Sequence, residues 1–359
     1  MDRAATSAAG RTTGGRRAVR MAAGIKEVAR EAGVSIGTVS NVLNHPEAVA
    51  PATRLRVLAA IEKLGWVRNG PASQLRAGRG RTIALIVLDV ANPFFTDVAR
   101  GAELVAEASG AMVVVCNSGE DAARERRHLD LLEENRVLGV LITPVGSTES
   151  ERLEKFASRG TPVVLVDRGS GHPDRCSVAV DDVGGGRLVG AHLRGLGHRR
   201  VAFVGGPFSI QQVADRHAGA AEGLGPDAIL SVVSTIGLSI AAGRRAAARI
   251  HELPATERPT AAFCANDLVA LGMLQELIRR RVRVPDDVAI VGYDDIEFAA
   301  AAAVPLSSVR QPREELGRTA ATLLLEEVGG AGHRHRHVVF APELVARESS
   351  LGRPVTDAR

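Results

Sequence analysis

The sequence predicts an all-α three-helix head followed by an α/β body of two doubly wound parallel-sheet lobes. Three observations carry that reading. The basic charge sits at one end, with 14 Lys and Arg against 5 Asp and Glu in residues 1–81, although the whole chain of 359 residues has a net charge of only +4. Apolar residues recur at helical spacing three times between Ile25 and Leu64. Short runs rich in Val, Ile and Leu then alternate with helix-like stretches from residue 83 to residue 295.

The length leaves room for two or three domains with sizeable cores. A composition of 45% hydrophobic and 24% charged residues excludes wholesale disorder and low-complexity classes. Apolar runs such as IALIVLDV stop far short of the roughly 18 residues that cross a bilayer. The first 24 residues lack the apolar segment of a secretory signal, so a cytoplasmic protein without a membrane partner is expected. Cys116, Cys176 and Cys264 are far apart and form no C-x-x-C pair, which reads as buried free thiols.

Residues 1–23 show no periodicity and read as a disordered extension, and Met21 leaves open whether translation starts there or at Met1. Ile25, Val28, Ala29 and Ala32 share one helix face before Gly33, which tolerates the positive φ of a helix end. Ser35 is placed to cap a second helix reaching about Asn44, with Val39, Val42 and Leu43 inward. Pro51 suits a first helical turn, and Leu55, Leu58, Ile61 and Leu64 form a third stripe closed by Gly65 and covered by Trp66. Three helices with a Gly-Val-Ser turn between the first two make a helix-turn-helix head over 24–68, whose second helix enters the DNA major groove. The basic bias fits nucleic acid, a solvated basic tail being the bland alternative.

In the body the runs are 83–89, 111–117, 139–144 and 162–167, then 200–206, 229–235, 260–267 and 288–295. Continuous Val/Ile/Leu runs bounded by helices imply strands buried on both faces, hence parallel sheets. Ligands of such sheets bind beyond the carboxyl ends of the strands. There the sequence places Asp89 and Asn92 ahead of Phe94 and Phe95, then Asp167 and Arg168, Asn266 and Asp267, and Asp294 and Asp295, with Arg216 in a helix-like segment. Carboxylates, an amide and a guanidinium bracket vicinal hydroxyls while a ring covers the apolar face of a sugar. Each Asp or Asn has the alternative reading of a helix cap.

The segment GIKEVAREAGVSIGTVSNVLN closely resembles the head of the LacI/GalR family of transcriptional regulators, and NGPASQLRAGRGR resembles the hinge of that family, here 69–81. The body is similar to its periplasmic-binding-protein-like core, here 82–350, leaving a tail at 351–359. The resemblance implies a DNA face of Ser35, Ile36, Gly37, Thr38, Ser40, Asn41 and Asn44. It makes Leu75, beside Arg76, the wedge that opens a minor-groove step. It implies three crossings between lobes, with an N-lobe of 82–180 and 307–330 and a C-lobe of 181–306 and 331–350. It puts Phe94 and Phe95 at the pocket wall, makes Arg216 the ligand-binding arginine, matches Asn266 and Asp294 to sugar contacts, and adds Asp167 and Asp267. It also implies a homodimer, and the tail LGRPVTDAR lacks the leucine heptads of a coiled-coil tetramer. Departures from the family are Ile36, Gly37 and Asn41 at the base-reading positions, where Asn pairs bidentately with adenine. Gly24 and Ala50 replace hydroxyl caps, at about 0.5 to 2 kcal/mol each if nothing compensates.

Two further tracts read blandly. VGGGR at 183–187 lacks a P-loop lysine and reads as the start of a helix. HRHRH at 333–337 sets three histidines at alternate positions, which could bind a metal on one face of a strand, but no Cys or carboxylate accompanies them, so a solvated strand or loop and no metal site is expected. No catalytic motif is found, and no cofactor is implied. The expected function is a sequence-specific DNA-binding repressor, partnered by double-stranded operator DNA and a second copy and released by a sugar or sugar derivative. A purine-like co-repressor is the alternative effector. A sugar-processing α/β enzyme with a basic accessory head is the rival class, and a freestanding sugar-binding protein is disfavoured by the head.

Overall fold

The computed structural model describes residues 24–66, 80–146, 151–169, 173–330 and 332–351. The expected extension 1–23, the hinge residues Leu75 and Arg76, and tail residues 352–359 lie outside them. The chain divides after residue 78 into a small helical unit and a large α/β unit.

The head has helices α1 (Ile25–Ala32), α2 (Ile36–Asn44) and α3 (Pro51–Leu64). Gly33 and Gly65 end α1 and α3 at φ of 64° and 58°. The missing hydroxyl caps are partly compensated. The Glu27 carboxylate accepts from the Gly24 N–H at 2.8 Å, which is half of a capping box. Pro51 at the first position of α3 has no N–H to satisfy. Val28, Ala29, Ala32, Val39, Val42, Val57 and Ala60 form the core, with Trp66 packed against it. The expected α3 stripe needs correction, because Leu55 and Leu58 are exposed and Val57 and Ala60 are buried with Ile61 and Leu64 against them. Steps of three residues slip by about 60° each around a helix, so Leu55 lies on the far side from Leu64. Positions 57, 60, 61 and 64 keep to one face.

The body consists of two six-stranded sheets. The first holds β1 (Thr82–Val87), β2 (Met112–Asn117), β3 (Gly139–Ile142), β4 (Val163–Val166), β5 (Cys176–Val180) and β11 (His337–Phe340), in the order β11-β5-β4-β3-β1-β2. The second holds β6 (Arg200–Gly205), β7 (Ile229–Ser234), β8 (Ala261–Cys264), β9 (Ala289–Asp294), β10 (Ser307–Arg310) and β12 (Glu343–Val345), in the order β12-β10-β9-β8-β6-β7. All neighbours are parallel except β10 and β12. The alternation of side chains along β1 sends Ala84 and Ile86 to a core with Leu129 and Phe156. Ile83 and Leu85 go to one with Phe94, Val98 and Leu316.

The eight expected runs are β1 to β4 and β6 to β9. The strands β5, β10, β11 and β12 add to them, and β10 and β11 move the expected lobe boundaries. β10 pairs with β9 and therefore belongs to the second lobe, whereas β11 pairs with β5 in the first. The chain thus crosses after Val180, after Arg310 and after Phe340, not at 307 and 331.

The VGGGR tract lies inside the helix Asp182–Gly195, whose start is capped by Asp181 accepting from the Gly184 N–H at 2.8 Å. Its glycines bring it against the helix Gln211–Leu224. A Cβ on Gly219 would stand 1.9 Å from the Val183 carbonyl oxygen, and one on Gly186 would stand 2.2 Å from that of Arg216. Backbones that close leave no room for any side chain.

Candidate ligand cleft and nucleic-acid face

On α2, Val39 and Val42 point into the head core and Ile36, Gly37, Asn41 and Asn44 point outward. Ser35 serves the helix itself, its Oγ accepting from the Thr38 N–H at 3.1 Å and lying 2.9 Å from Thr38 Oγ1. Asn44 Nδ2 donates to the Ser40 carbonyl at 2.9 Å. The outward surface is therefore one apolar side chain, a bare backbone at Gly37 and the Asn41 amide, which suits close approach to base edges.

In the body the strand ends of both sheets face one another across a cleft. Asn92 caps the helix Pro93–Ala108 through Oδ1, which accepts from the Phe94 N–H at 3.1 Å. Its Nδ2 crosses between the lobes to Asp294 Oδ2 at 3.1 Å. A second bridge runs from Gln212 Nε2 to Asp167 Oδ2 at 3.0 Å. Phe94 and Phe95 are buried edge to face, with ring centroids 5.0 Å apart. The free space is about 40 Å³, room for a few waters at about 10 to 15 Å³ each.

Arg216 organises the second-lobe wall. Its Nε donates to Asp182 Oδ1 at 2.8 Å and its Nη1 to the Ala265 carbonyl at 2.7 Å, while Asp294 Oδ1 stands 3.9 Å from Nη1. The guanidinium carbon lies 3.7 Å from the centroid of the Tyr293 ring, a cation–π contact. Gln311 Nε2 completes the hold on Asp294 at 2.8 Å. Asp167 and Asp294 sit at φ of 54° and 106°, a region that residues other than glycine enter at a cost of about 1 to 3 kcal/mol and that clusters at binding sites.

Burial pushes the Asp167 carboxyl up to about 8, reinforced by Asp182 and opposed by Arg216. Burial likewise raises Asp294 to about 6, opposed by Arg216 and by the Asn92 hydrogen bond. Asp182 is raised by burial against the pull of Arg216. For Arg216 burial works against the charge, but Asp182, Tyr293, Asp294 and Asp167 outweigh it and hold the guanidinium above its ordinary value. Burial is thus the first cause of all three raised carboxyls, and Arg216 is the charge that opposes it in each. Asp167 Oδ1 and Gln212 Oε1 find no hydrogen-bond partner among the described residues, which leaves polar capacity for a ligand.

The structure brings Phe94, Phe95, Asp167, Arg216, Asn266 and Asp294 to this cleft together with Asp89 and Asn92. Asn266 borders it but is also a cap, Oδ1 accepting from the Val269 N–H at 2.9 Å and Nδ2 donating to the Leu238 carbonyl at 3.1 Å. Asp267 is a correction. It is fully buried, and its two oxygens accept from Ser308 Oγ at 2.6 Å and the Ile296 N–H at 2.9 Å. It points to β10, away from the cleft, and ties the helix Asp267–Arg279 to the sheet.

Gln212 and Glu120 line the cleft without having been singled out. Gln212 lies four residues before Arg216 and so on the same helix face, and Glu120 follows the end of β2, so both carried a readable signal. Asp182 and Gln311 depend on tertiary packing. The alternating histidines are likewise not a plain solvated strand. Cys176 and Glu327 stand beside His333 and His335, and His337 Nδ1 lies 2.9 Å from Ser177 Oγ.

A helix-turn-helix head on a two-lobed core with a polar cleft defines a DNA-binding regulator. Residues 24–69 match the lacI family of bacterial regulatory proteins, and residues 191–350 match the periplasmic binding protein-like domain. The HTH-type transcriptional repressor PurR of Aliivibrio fischeri strain MJ11 is 33% identical over 338 residues, covering 92% of this chain and 98% of that protein. Among solved structures, the lac repressor dimer bound to operator and the anti-inducer ONPF is 27% identical with a TM-score of 0.78, over 92% of this chain and all of that one. The transcriptional regulator CelR in complex with cellobiose is 31% identical with a TM-score of 0.64, over 91% of this chain and all of that one. The chain belongs to the lacI family and is a DNA-binding transcriptional repressor. Among the described residues no helix is long and apolar enough to cross a membrane.

Proposed function

We propose that this repressor holds its operator as a cytoplasmic homodimer, acts by binding and not by catalysis, and is released by a sugar or sugar derivative bound between its lobes. The carrying observation is the pair of polar bridges across the cleft, Asn92 to Asp294 and Gln212 to Asp167. Hydroxyls replace such bridges one for one, and Phe94 and Phe95 line the same space. The proposed DNA contacts are those on α2, with Ile36, Gly37 and Asn41 toward the bases, together with Leu75 as minor-groove wedge and Arg76 beside it. Pairing of two copies is supported by apolar residues exposed on the edge strands, Met112, Val114 and Val115 on β2 and Ile229 and Val232 on β7. The lac repressor was solved as a dimer on operator.

Ligand and operator are linked by a coupling of about 1 to 3 kcal/mol, a 5- to 150-fold change in either affinity. The test is to recover operator fragments by genomic footprinting and titrate the complexes with sugars, sugar phosphates and nucleobases. Release by a sugar supports the proposal. A second reading, a purine-like co-repressor, is favoured by the nearly full-length likeness to the PurR repressors. In that case a base tightens the complex and no sugar loosens it.

A further inference from the structure

The alternating histidines belong to a cluster assembled from three parts of the first lobe. Cys176 opens β5, Glu327 lies near the end of the helix Arg313–Gly329, and His333 and His335 lie on the segment leading into β11. Cys176 Sγ is 3.2 Å from His333 Nε2 and 3.7 Å from His335 Nδ1. Glu327 Oε2 is 4.0 Å from each of the same two nitrogens. All four donor atoms lie within 4.8 Å of one another. Bonds of about 2.0 to 2.3 Å to a tetrahedral zinc ion set donors about 3.3 to 3.7 Å apart, so the four already stand near coordination spacing.

The surroundings fit as well. Glu327 Oε2 is buried and has no hydrogen-bond donor among the described residues. The two imidazoles are not stacked, their planes meeting at 80° with centroids 5.1 Å apart, so their nitrogens converge. On the outer side His333 Nδ1 faces Glu326 at 3.9 Å, and Glu326 is held by Arg336. Glu326 thus stands within ion-pair distance of the outer nitrogen of His333, on the side where a carboxylate that closes to a hydrogen bond orients a metal-bound imidazole. The Arg336 N–H reaches Cys176 Sγ at 3.4 Å, as backbone donors do toward a thiolate. The His333 side chain is 7% exposed and those of His335 and Glu327 about a quarter, so an ion has a way in.

We propose that Cys176, Glu327, His333 and His335 form a binding site for a divalent d-block cation of the zinc type. One sulfur, two nitrogens and one oxygen make a donor set of intermediate softness, which selects against Mg²⁺ and Ca²⁺. On binding, the Cys176 thiol gives its proton to solvent as the sulfur–metal bond forms. Thiolate and carboxylate then neutralise the dication. The ion joins β5 and the lead into β11 to the helix Arg313–Gly329. Cys176 is the first residue of its strand, so the site lies at the opposite end of the sheet from the ligand cleft and stands or falls independently of the effector.

The test uses the full chain, reduced and freed of metal by chelation, titrated with Co²⁺ and then Zn²⁺ in the absence of DNA. One Co²⁺ per chain is expected, with the ligand-field bands of a tetrahedral ion and a thiolate charge-transfer band, both lost when Zn²⁺ displaces it. Cys176→Ser removes the charge-transfer band. Loss of an outer partner alone weakens metal sites by about 10- to 100-fold. Glu326→Gln is therefore expected in that range, and His335→Ala and Glu327→Gln at or beyond its upper end. Circular dichroism checks each fold, and if Cys176→Ser does not fold, His335→Ala decides. The proposal is overturned if no stoichiometric Co²⁺ is bound, or if the spectrum and affinity survive in Cys176→Ser or His335→Ala. Either result leaves a thiol–imidazole hydrogen bond as the whole content of the cluster.

Discussion

In the second lobe the groups around Arg216 are held in place, while Gln212 reaches across to Asp167 and keeps Oε1 without a partner among the described residues. Arg216 is spent on Asp182, Ala265 and Tyr293, Asn266 on its own helix and the Leu238 carbonyl, and Asp294 on Gln311. In the first lobe the groups reach across or stay unfilled: the Asn92 amide goes to Asp294, and Asp167 has one oxygen with no partner among the described residues. The contrast separates a preorganised wall from an exchangeable one. A ligand that took over the bridges from Asn92 and Gln212 would leave the ties around Arg216 in place.

Breaking the preorganised wall has the largest expected effect. Arg216→Ala leaves Asp182 and Asp294 buried without their cation, a loss of about 3 to 5 kcal/mol to be read from urea unfolding. It follows that this variant reports stability before it reports ligand binding. Gly219→Ala forces a methyl group into the Val183 carbonyl and is expected to cost about 1 to 3 kcal/mol as overpacking, checked by the same unfolding curves.

The carboxyls sharpen the comparison through pH. Asp167 and Asp294 are raised in the folded state, to about 8 and about 6, so at these two sites the folded chain holds more protons than the unfolded chain above about pH 4. Their contribution to stability therefore falls as pH rises from about 4 to 8. Asp167→Asn is expected to flatten the upper part of that fall, and an unchanged slope would show that Asp167 ionises freely. The smallest effect on stability comes from the exchangeable wall. Asn92→Ala loses a helix cap at about 0.5 to 2 kcal/mol and one bridge between lobes. It is expected to change effector response in gel-shift titrations while operator affinity without effector stays the same.

The sequence shows TIALIV and AAFC plainly as apolar runs buried on both faces, and MVVVCN and ILSVVS by the same apolar pattern, although these two are edge strands and partly exposed, which corrects the expected burial on both faces. CSVAV, SSVR, HVVF and ELV are three to five residues long and carry serine, histidine or glutamate. Pairing makes them strands, with β4 and β9 close by in the chain for β5 and β10 and a distant partner, β5, for β11, and β10 and β11 carry the lobe boundaries with them. The rule of strand ends found Phe94, Phe95, Asp167, Arg216, Asn266 and Asp294. It reached one residue too far at Asp267, whose side chain turns to a strand not visible in the sequence. The metal cluster was half legible: alternate histidines are a local pattern, whereas Cys176 lies 157 residues from His333.

The pairing of Ser177 with His337 joins β5 to β11 across 160 residues, and most of the second lobe is made in between. During synthesis the first lobe therefore waits, its sheet lacking an outer strand and its helix Arg313–Gly329 not yet present, until nearly the whole chain has emerged. Contacts so distant in sequence raise the contact order of the fold, and folding slows as contact order rises. The exposed apolar face of that waiting sheet is where a nascent chain of this fold needs protection from aggregation.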